Sequence, residues 1–245
     1  MLRNIRMIFR REMGGYFATP IAYVFLVIFL FLSGIFTFYV GNFFEREQAD
    51  LYAFFSHHPW LYLFLIPALT MRLWAEERKT GSIELLFTLP LRPVEAVLGK
   101  FLAAWCFTAL ALALTFPLWL MVASLGQPDH GVILASYIGS LFLAGGFLAI
   151  GSCLSALTRN QVIAFVLAAT VGLGFILSGH AMVLDFFSGW APTLVVDTIA
   201  SFSFLTHFEA ITKGVIDLAD VIYFGSLMAF WLFANVVVLD SRGGD

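Results

Sequence analysis

The chain has 245 residues, of which 61% are hydrophobic and 12% charged, against roughly 45–50% and about 25% in a soluble globular domain. That surplus of apolar surface, 28 phenylalanines included, excludes a water-soluble two-layer fold, which would have to expose a large apolar patch. The net charge of −3, with no basic stripe along any segment, argues against a nucleic-acid partner and leaves the lipid bilayer as the natural solvent.

In chain order, residues 1–20 read as an N-terminal interfacial helix. Arg3, Arg6 and Arg10 recur at helical spacing, with Leu2, Ile5 and Phe9 on an adjacent side and Arg11 extending the basic face. A basic amphipathic helix of this kind lies in the headgroup plane. No small-residue cleavage site precedes the first apolar run, so the first membrane helix is expected to be retained. Six runs approach the roughly 20 apolar residues needed to cross a bilayer: 21–40, 60–73, 101–125, 132–157, 162–184 and 221–239. The second is short. Extending it back through Leu51 to Phe55 would set His57, His58, Pro59 and Trp60 at the membrane interface. The expected fold is therefore all-α, a polytopic membrane protein of about six transmembrane helices forming a single domain over 1–245. Loops on one side hold eleven Lys and Arg residues, those on the other only Arg46 and Lys213. By the excess of cations in cytoplasmic loops, both termini are expected in the cytoplasm of a bacterial inner membrane. Cys106 and Cys153 each fall inside an apolar run, where a reduced buried thiol is the ordinary state.

What the spans lack narrows the function. No Asp, Glu, Lys or Arg lies in the central part of any run, whereas ion-coupled transporters place ionisable groups or broken helices near the midplane. Neither HExxH nor a GxxxxGK[ST] phosphate loop is present, so ATP cannot be hydrolysed here by that route. Ser178 and His180 come nearest to a serine site, yet two-residue spacing on a helix does not let side chains face each other. Small residues cluster in the fourth run, at Gly139, Ser140, Ala144, Gly145, Gly146, Gly151, Ser152 and Ser155, and read as a surface for close helix packing. Asn235 reads as an interhelical hydrogen-bonding residue. No catalytic, metal-binding or cofactor-binding residues are assigned.

The segment after the second run is the most informative. It leaves the membrane as Trp74-Ala75-Glu76-Glu77-Arg78-Lys79-Thr80, breaks at Gly81, and restarts with Ser82 as N-cap and Glu84 near a helix N-terminus. A short helix is expected from Ile83 to about Leu89, with Ile83, Leu86, Phe87 and Pro90 on one face, and Pro93 suits the first turn of the third membrane helix. Such a charged stub and apolar-faced helix could insert into a groove on a soluble partner or rest on lipid. Farther on, 185–220 is too long for a hairpin and too polar to span. Short amphipathic helices are expected at 192–200 and 204–213, and Glu209, Asp217 and Asp220 are expected to be solvated loop charges.

The stretch from Pro67 to Pro90, followed by Gly99-Lys100-Phe101, resembles type-2 ABC exporter permeases of the gliding-motility type. The later stretch Phe204-Leu205-Thr206-His207-Phe208-Glu209 through Tyr223-Phe224 resembles the segment before their last helix. The resemblance implies a permease paired with a second copy or close paralogue on two cytoplasmic ATPase subunits, with ATP and Mg²⁺ bound by those partners and no cofactor on this chain. It implies an auxiliary periplasmic-domain subunit in some such systems, and a coupling-helix loop over 76–91. Carried onto this chain, Glu76, Glu77, Arg78, Gly81, Ser82, Glu84, Leu86 and Phe87 become ATPase-coupling residues. Arg3, Arg6, Arg10 and Arg11 become a membrane-surface connecting helix, and 185–220 an outer re-entrant or capping segment. A membrane scaffold or channel without ATP-driven transport is the alternative.

Overall fold

The computed structural model describes residues 1–84, 91–189 and 192–242. Among them every regular element is helical, as the composition requires, because a chain in lipid must satisfy its backbone polar groups internally. Helix starts follow local chemistry. Pro20 opens α2 (Pro20–Ile35) and Pro93 opens α6 (Pro93–Ala113), where a missing N–H costs nothing. Asp129 caps α8 (His130–Leu157), its carboxylate accepting from the backbone of Gly131 and Val132. Asn160 does the same for α9 (Gln161–Leu177) and Ser203 for α12 (Phe204–Thr212).

Helix α8 is the axis of the bundle. It packs against α4 (His58–Thr70), α6, α9, α12 and the last helix, α13 (Leu218–Arg242). The small residues of the fourth run explain that centrality. A Cβ on Gly151 would fall 2.1 Å from Thr70 Oγ1, and one on Gly139 would fall 2.6 Å from Ile211 Cγ2. Glycine therefore lets α4 and α12 approach closely. Asn235 on α13 donates to Ser152 Oγ at 2.8 Å, the interhelical bond expected of it.

Among the described residues four segments are long and apolar enough to cross a membrane: Pro20–Val40, Pro93–Leu125, His130–Leu157 and Leu218–Ser241. Two bent pairs would bring the number to six. One joins α9 to α10 (Ala181–Ser188) at 67°, the other joins α11 (Thr193–Ser201) to α12 at 63°. Six spans are reached only if each bent pair counts as one, and then by a different set of helices than expected. The second run folds as the 13-residue α4, about 20 Å long at 1.5 Å per residue, after the single turn α3 (Tyr52–Phe55). His58 is buried in protein rather than presented at a surface. It is 1% exposed among the rings of Phe54, Phe55 and Tyr62. The third span begins at Pro93 instead of residue 101, and Pro117 interrupts it between α6 and α7 (Phe116–Leu125), since its ring cannot accommodate the carbonyl four residues before it.

Residues 192–213 form the expected pair of short helices. Helix α12 is pinned by buried Phe204, Phe208 and Ile211, whereas α10 and α11 bury no residue and pack on each other. Asp220 departs from expectation. It is 5% exposed, and its Oδ1 lies 2.6 Å from His207 Nδ1, because the imidazole stacked on Tyr223 covers it. Ser178 and His180 serve as local caps, Ser178 Oγ donating to Phe175 O and His180 Nδ1 accepting from Met182 N.

Candidate functional site

Helix α1 (Leu2–Ala18) lies along α6 at the end of the bundle that carries most of the cations. Ile8, rather than Leu2, is the apolar anchor: it is 2% exposed, while Leu2 is 83% exposed. It sits over Gly99, where a Cβ would come within 2.7 Å of its side chain. Arg3, Arg6, Arg10 and Arg11 remain exposed along α1, a distribution suited to lipid headgroups. At the first turn of α6, Glu95 accepts from its own Arg92 backbone N–H at 3.0 Å and from Asn4 Nδ2 at 3.0 Å, and it pairs with the N-terminal amine at 3.3 Å. The start of the span is thereby tied to the start of the chain.

Lys100 is the electrostatic centre of this end. Counted among loop cations in the sequence, it is instead about two turns inside α6 and only 2% exposed. Its Nζ donates to Glu12 Oε1 at 3.0 Å and to Glu77 Oε1 at 2.9 Å, and it lies 5.1 Å from the Trp74 ring. Arg11 reaches the same carboxylate atoms, at 2.6 Å from Glu12 and 3.2 Å from Glu77. Burial disfavours the Glu12 carboxylate, but the Lys100 and Arg11 charges outweigh it and hold Glu12 below the usual carboxylate range. One buried ammonium therefore joins α1, α6 and the stub α5 (Ala75–Thr80).

A second clamp fixes the root of α5. Trp74 is fully buried, and its indole Nε1 donates to Ser152 Oγ at 3.2 Å. The backbone N–H groups of Trp74 and Ala75 both donate to Ser155 Oγ, at 3.2 and 3.1 Å. Ser155 in turn donates to Met71 O at 3.1 Å, and Arg78 Nη1 donates to Ala156 O. Ser152 also receives Asn235, so α5, α8 and α13 share one hydrogen-bonded joint. Serines read from sequence as small packing residues thus also satisfy the orphan donors at the α5 N-terminus.

Beyond α5 the chain turns at Gly81, whose φ of 74° is the left-handed conformation that glycine adopts without strain. Residues 82–84 begin the next helical turn, with Glu84 N bonded to Gly81 O at 3.2 Å. Gly81 precedes that turn in the place expected of Ser82. The Ser82 hydroxyl faces back, 2.9 Å from Thr80 Oγ1 and 3.4 Å from Glu77 O, because the reversal at Gly81 brings it over α5. Glu84 lies on the exposed side of the turn, and Glu76 is likewise exposed. Leu86 and Phe87, with most of the short helix expected to Leu89, lie outside the described residues. Of the coupling residues named from sequence, Glu77 and Arg78 belong to the anchored root, while Glu76 and Glu84 face outward. Lys100, Glu12, Trp74 and Ser155 were not among those coupling residues. Their only sequence signals are a cation two turns into a span and a Trp at a helix boundary.

Among the described residues no group of three or more His, Cys, Asp or Glu side chains could hold a metal ion. The arrangement offers mechanical attachment: a charged stub presented outward and rigidly rooted in three helices. In comparisons with known proteins, a family model described as CcmB protein matches residues 1–219. That is a different family from the gliding-motility-type permeases the loop resembles. Among curated proteins none matches.

Proposed function

We propose, from the premise that this chain belongs to the CcmB protein family, that it exports an amphipathic cargo by coupling to separate cytoplasmic ATPase subunits through α5 and the segment after it. The family is a membrane permease subunit of an ABC transporter and is not itself catalytic, so hydrolysis belongs to a partner. The observation that carries the coupling assignment is the double root of α5, buried Lys100 on one side and the Trp74–Ser155–Ser152 joint on the other. A surface loop resting on lipid needs neither. A loop that must transmit displacement to helices needs both.

In this reading two copies, or one copy and a close paralogue, face each other. Nucleotide-driven closure of the ATPases pushes residues 76–91, and the push reaches α8 and α13 through the joint. The ATPase shifts the membrane helices only to the extent that its nucleotide states bind the two arrangements differently. Helices α10 to α12 cap the opposite end, and the basic face of α1 lies on the cytoplasmic leaflet. The cargo proposed is haem, since the family is the permease component of an ABC-type haem exporter. A flat amphipath suits spans that carry no charge at mid-depth. An auxiliary periplasmic-domain subunit would receive it.

The test is co-purification from native membranes in mild detergent, followed by an ATPase assay. Wild type is expected to bring down a phosphate-loop ATPase in stoichiometric amount. Glu84→Ala and Phe87→Asp are expected to lose the ATPase, or its stimulation by permease, while inserting normally. Recovery of the chain alone and inert in several detergents, or variants that assemble and work as wild type, would overturn the coupling assignment.

A further inference from the structure

A cavity of about 530 Å³ opens between α1, α2, the end of α4 and α5, within the range of roughly 300–1,000 Å³ usual for ligand sites. Its two ends differ in chemistry. One is hydrocarbon, walled by Ala22, Phe25, Ile28, Leu65 and Leu69, and the other is charged. Ile21, Val24 and Ile28 line the cavity and are exposed, so its apolar end is open at the surface of the bundle.

The charges at the polar end do not all cancel within the protein. Arg11 and Lys100 are taken up by Glu12 and Glu77. Arg72 and Glu76 are left over. Neither side chain makes a hydrogen bond or ion pair with any described residue, and Arg72 Nε is shut off from solvent without an acceptor. The second oxygen of Glu77 and the Tyr16 hydroxyl, on residues lining the same cavity, are also buried and unpartnered. Burying polar groups without partners is unfavourable, and a complementary ligand would satisfy them. The buried unmet set comprises the Arg72 Nε, one Glu77 oxygen and the Tyr16 hydroxyl, with the exposed Glu76 carboxylate at the rim, beside a hydrocarbon slot.

We infer that this cavity binds one glycerophospholipid with a zwitterionic phosphoethanolamine head, its phosphate on Arg72 and its ammonium against Glu76 and Glu77, with an acyl chain in the slot between α2 and α4. Arginine matches phosphate oxygens with paired donors, and an ammonium is the donor that the leftover carboxylate oxygens lack. A purely anionic head would face Glu76 unpaired. A choline head has no N–H to give. Because the site is bounded by α5 and its root, a bound lipid would brace the coupling element. The inference goes beyond the permease reading, and lipid retention needs no ATPase.

The experiment is native mass spectrometry with lipid extraction on protein purified in mild detergent, then incubated with mixed micelles of phosphatidylethanolamine, phosphatidylglycerol or phosphatidylcholine. Wild type is expected to keep about one phosphatidylethanolamine per chain. Arg72→Gln should lower its retention at least tenfold, and Glu76→Gln should move the preference toward phosphatidylglycerol. Ala68→Phe fills the slot without touching the charged end, and it should expel the lipid as well. Equal retention in wild type and Arg72→Gln would overturn the site, as would no retained lipid at all. Binding of phosphatidylcholine equal to phosphatidylethanolamine would overturn the ammonium assignment. Displacement by inorganic phosphate alone would show that the ligand is a free anion and not a lipid.

Discussion

Replacing Lys100 with Met removes the charge that joins α1, α6 and α5 while keeping most of the hydrophobic stem. The Lys100 side chain is 3% exposed, and its partners Glu12 and Glu77 are 17% and 20% exposed. Removing one member of a buried pair costs about 3–5 kcal/mol, because the remaining charge is stranded. Arg11 stays within reach of both carboxylates and some water reaches them, so we expect the lower figure of about 2 kcal/mol once screening is allowed for. That corresponds to a roughly thirty-fold rise in the local opening equilibrium. Hydrogen exchange in detergent would read it as faster exchange over α1 and residues 75–84, with the centre of α8 unchanged. Adding Glu12→Gln and Glu77→Gln to the Lys100→Met chain removes the stranded charges and should restore most of the protection. Unchanged exchange in the single variant, or a triple variant worse than the single one, would refute the reasoning.

Other consequences concern the same end of the bundle. Ser155→Ala leaves the Trp74 and Ala75 N–H groups without an acceptor, at about 1–3 kcal/mol each. The expected result is lower thermal stability and, in the assembled complex, ATP hydrolysis uncoupled from transport. Gly99→Ala sets a methyl 2.7 Å from Ile8 and should weaken α1 docking by about 1–3 kcal/mol, measurable as faster proteolysis within the first 20 residues. Gly151→Ala drives a methyl into Thr70 and should lower the stability of the whole bundle instead, seen as a reduced melting temperature. For pH, the Glu12 carboxyl is held below its unfolded value. Its contribution is therefore complete above the ordinary carboxylate range and is lost as pH falls through its lowered folded value. Exchange of α1 amides, corrected for intrinsic rate, should be flat from neutral pH to roughly pH 5 and rise only below about pH 4.

The legible parts of the sequence were those governed by one-dimensional rules. Long apolar runs mark spans, Pro93 marks the start of a membrane helix, and glycine at 81 marks the break after the stub. What escaped was set by partners distant in sequence. Lys100 reads as a loop cation until Glu12 and Glu77 are seen to neutralise it, and only then can it sit inside a membrane helix. Asp220 reads as a solvated charge until His207, thirteen residues earlier, closes over it. The second run gave its length wrongly for a similar reason. Helix α4 is sheathed by α2, α8 and α9, so its hydrophobicity reflects burial in protein as much as contact with lipid. Ser152 and Ser155 were recognised as small, but nothing local announces that their hydroxyls receive the end of another helix.

The two clamps also limit how much work the stub can transmit. Taking a two-state membrane domain from 1:99 to 99:1 requires about 5.5 kcal/mol of differential binding, and all of it must cross the root of α5. A root weaker than that would open before the helices moved, and the stub would swing freely. The buried Trp74 indole, the Lys100 pairs and each N–H bond to Ser155 contribute on the order of 1–3 kcal/mol, so no single contact suffices. Their attachment to different helices matters as much as their sum. Lys100 holds the stub to α6 and α1, which lies along the membrane surface in the proposed reading, whereas the serines hold it to α8 and, through Asn235, to α13. A push on α5 therefore loads α8 and α13 against α6 and α1. Cutting the serine side alone should leave the stub attached to α6 and able to bind a partner, yet unable to drive the central helix.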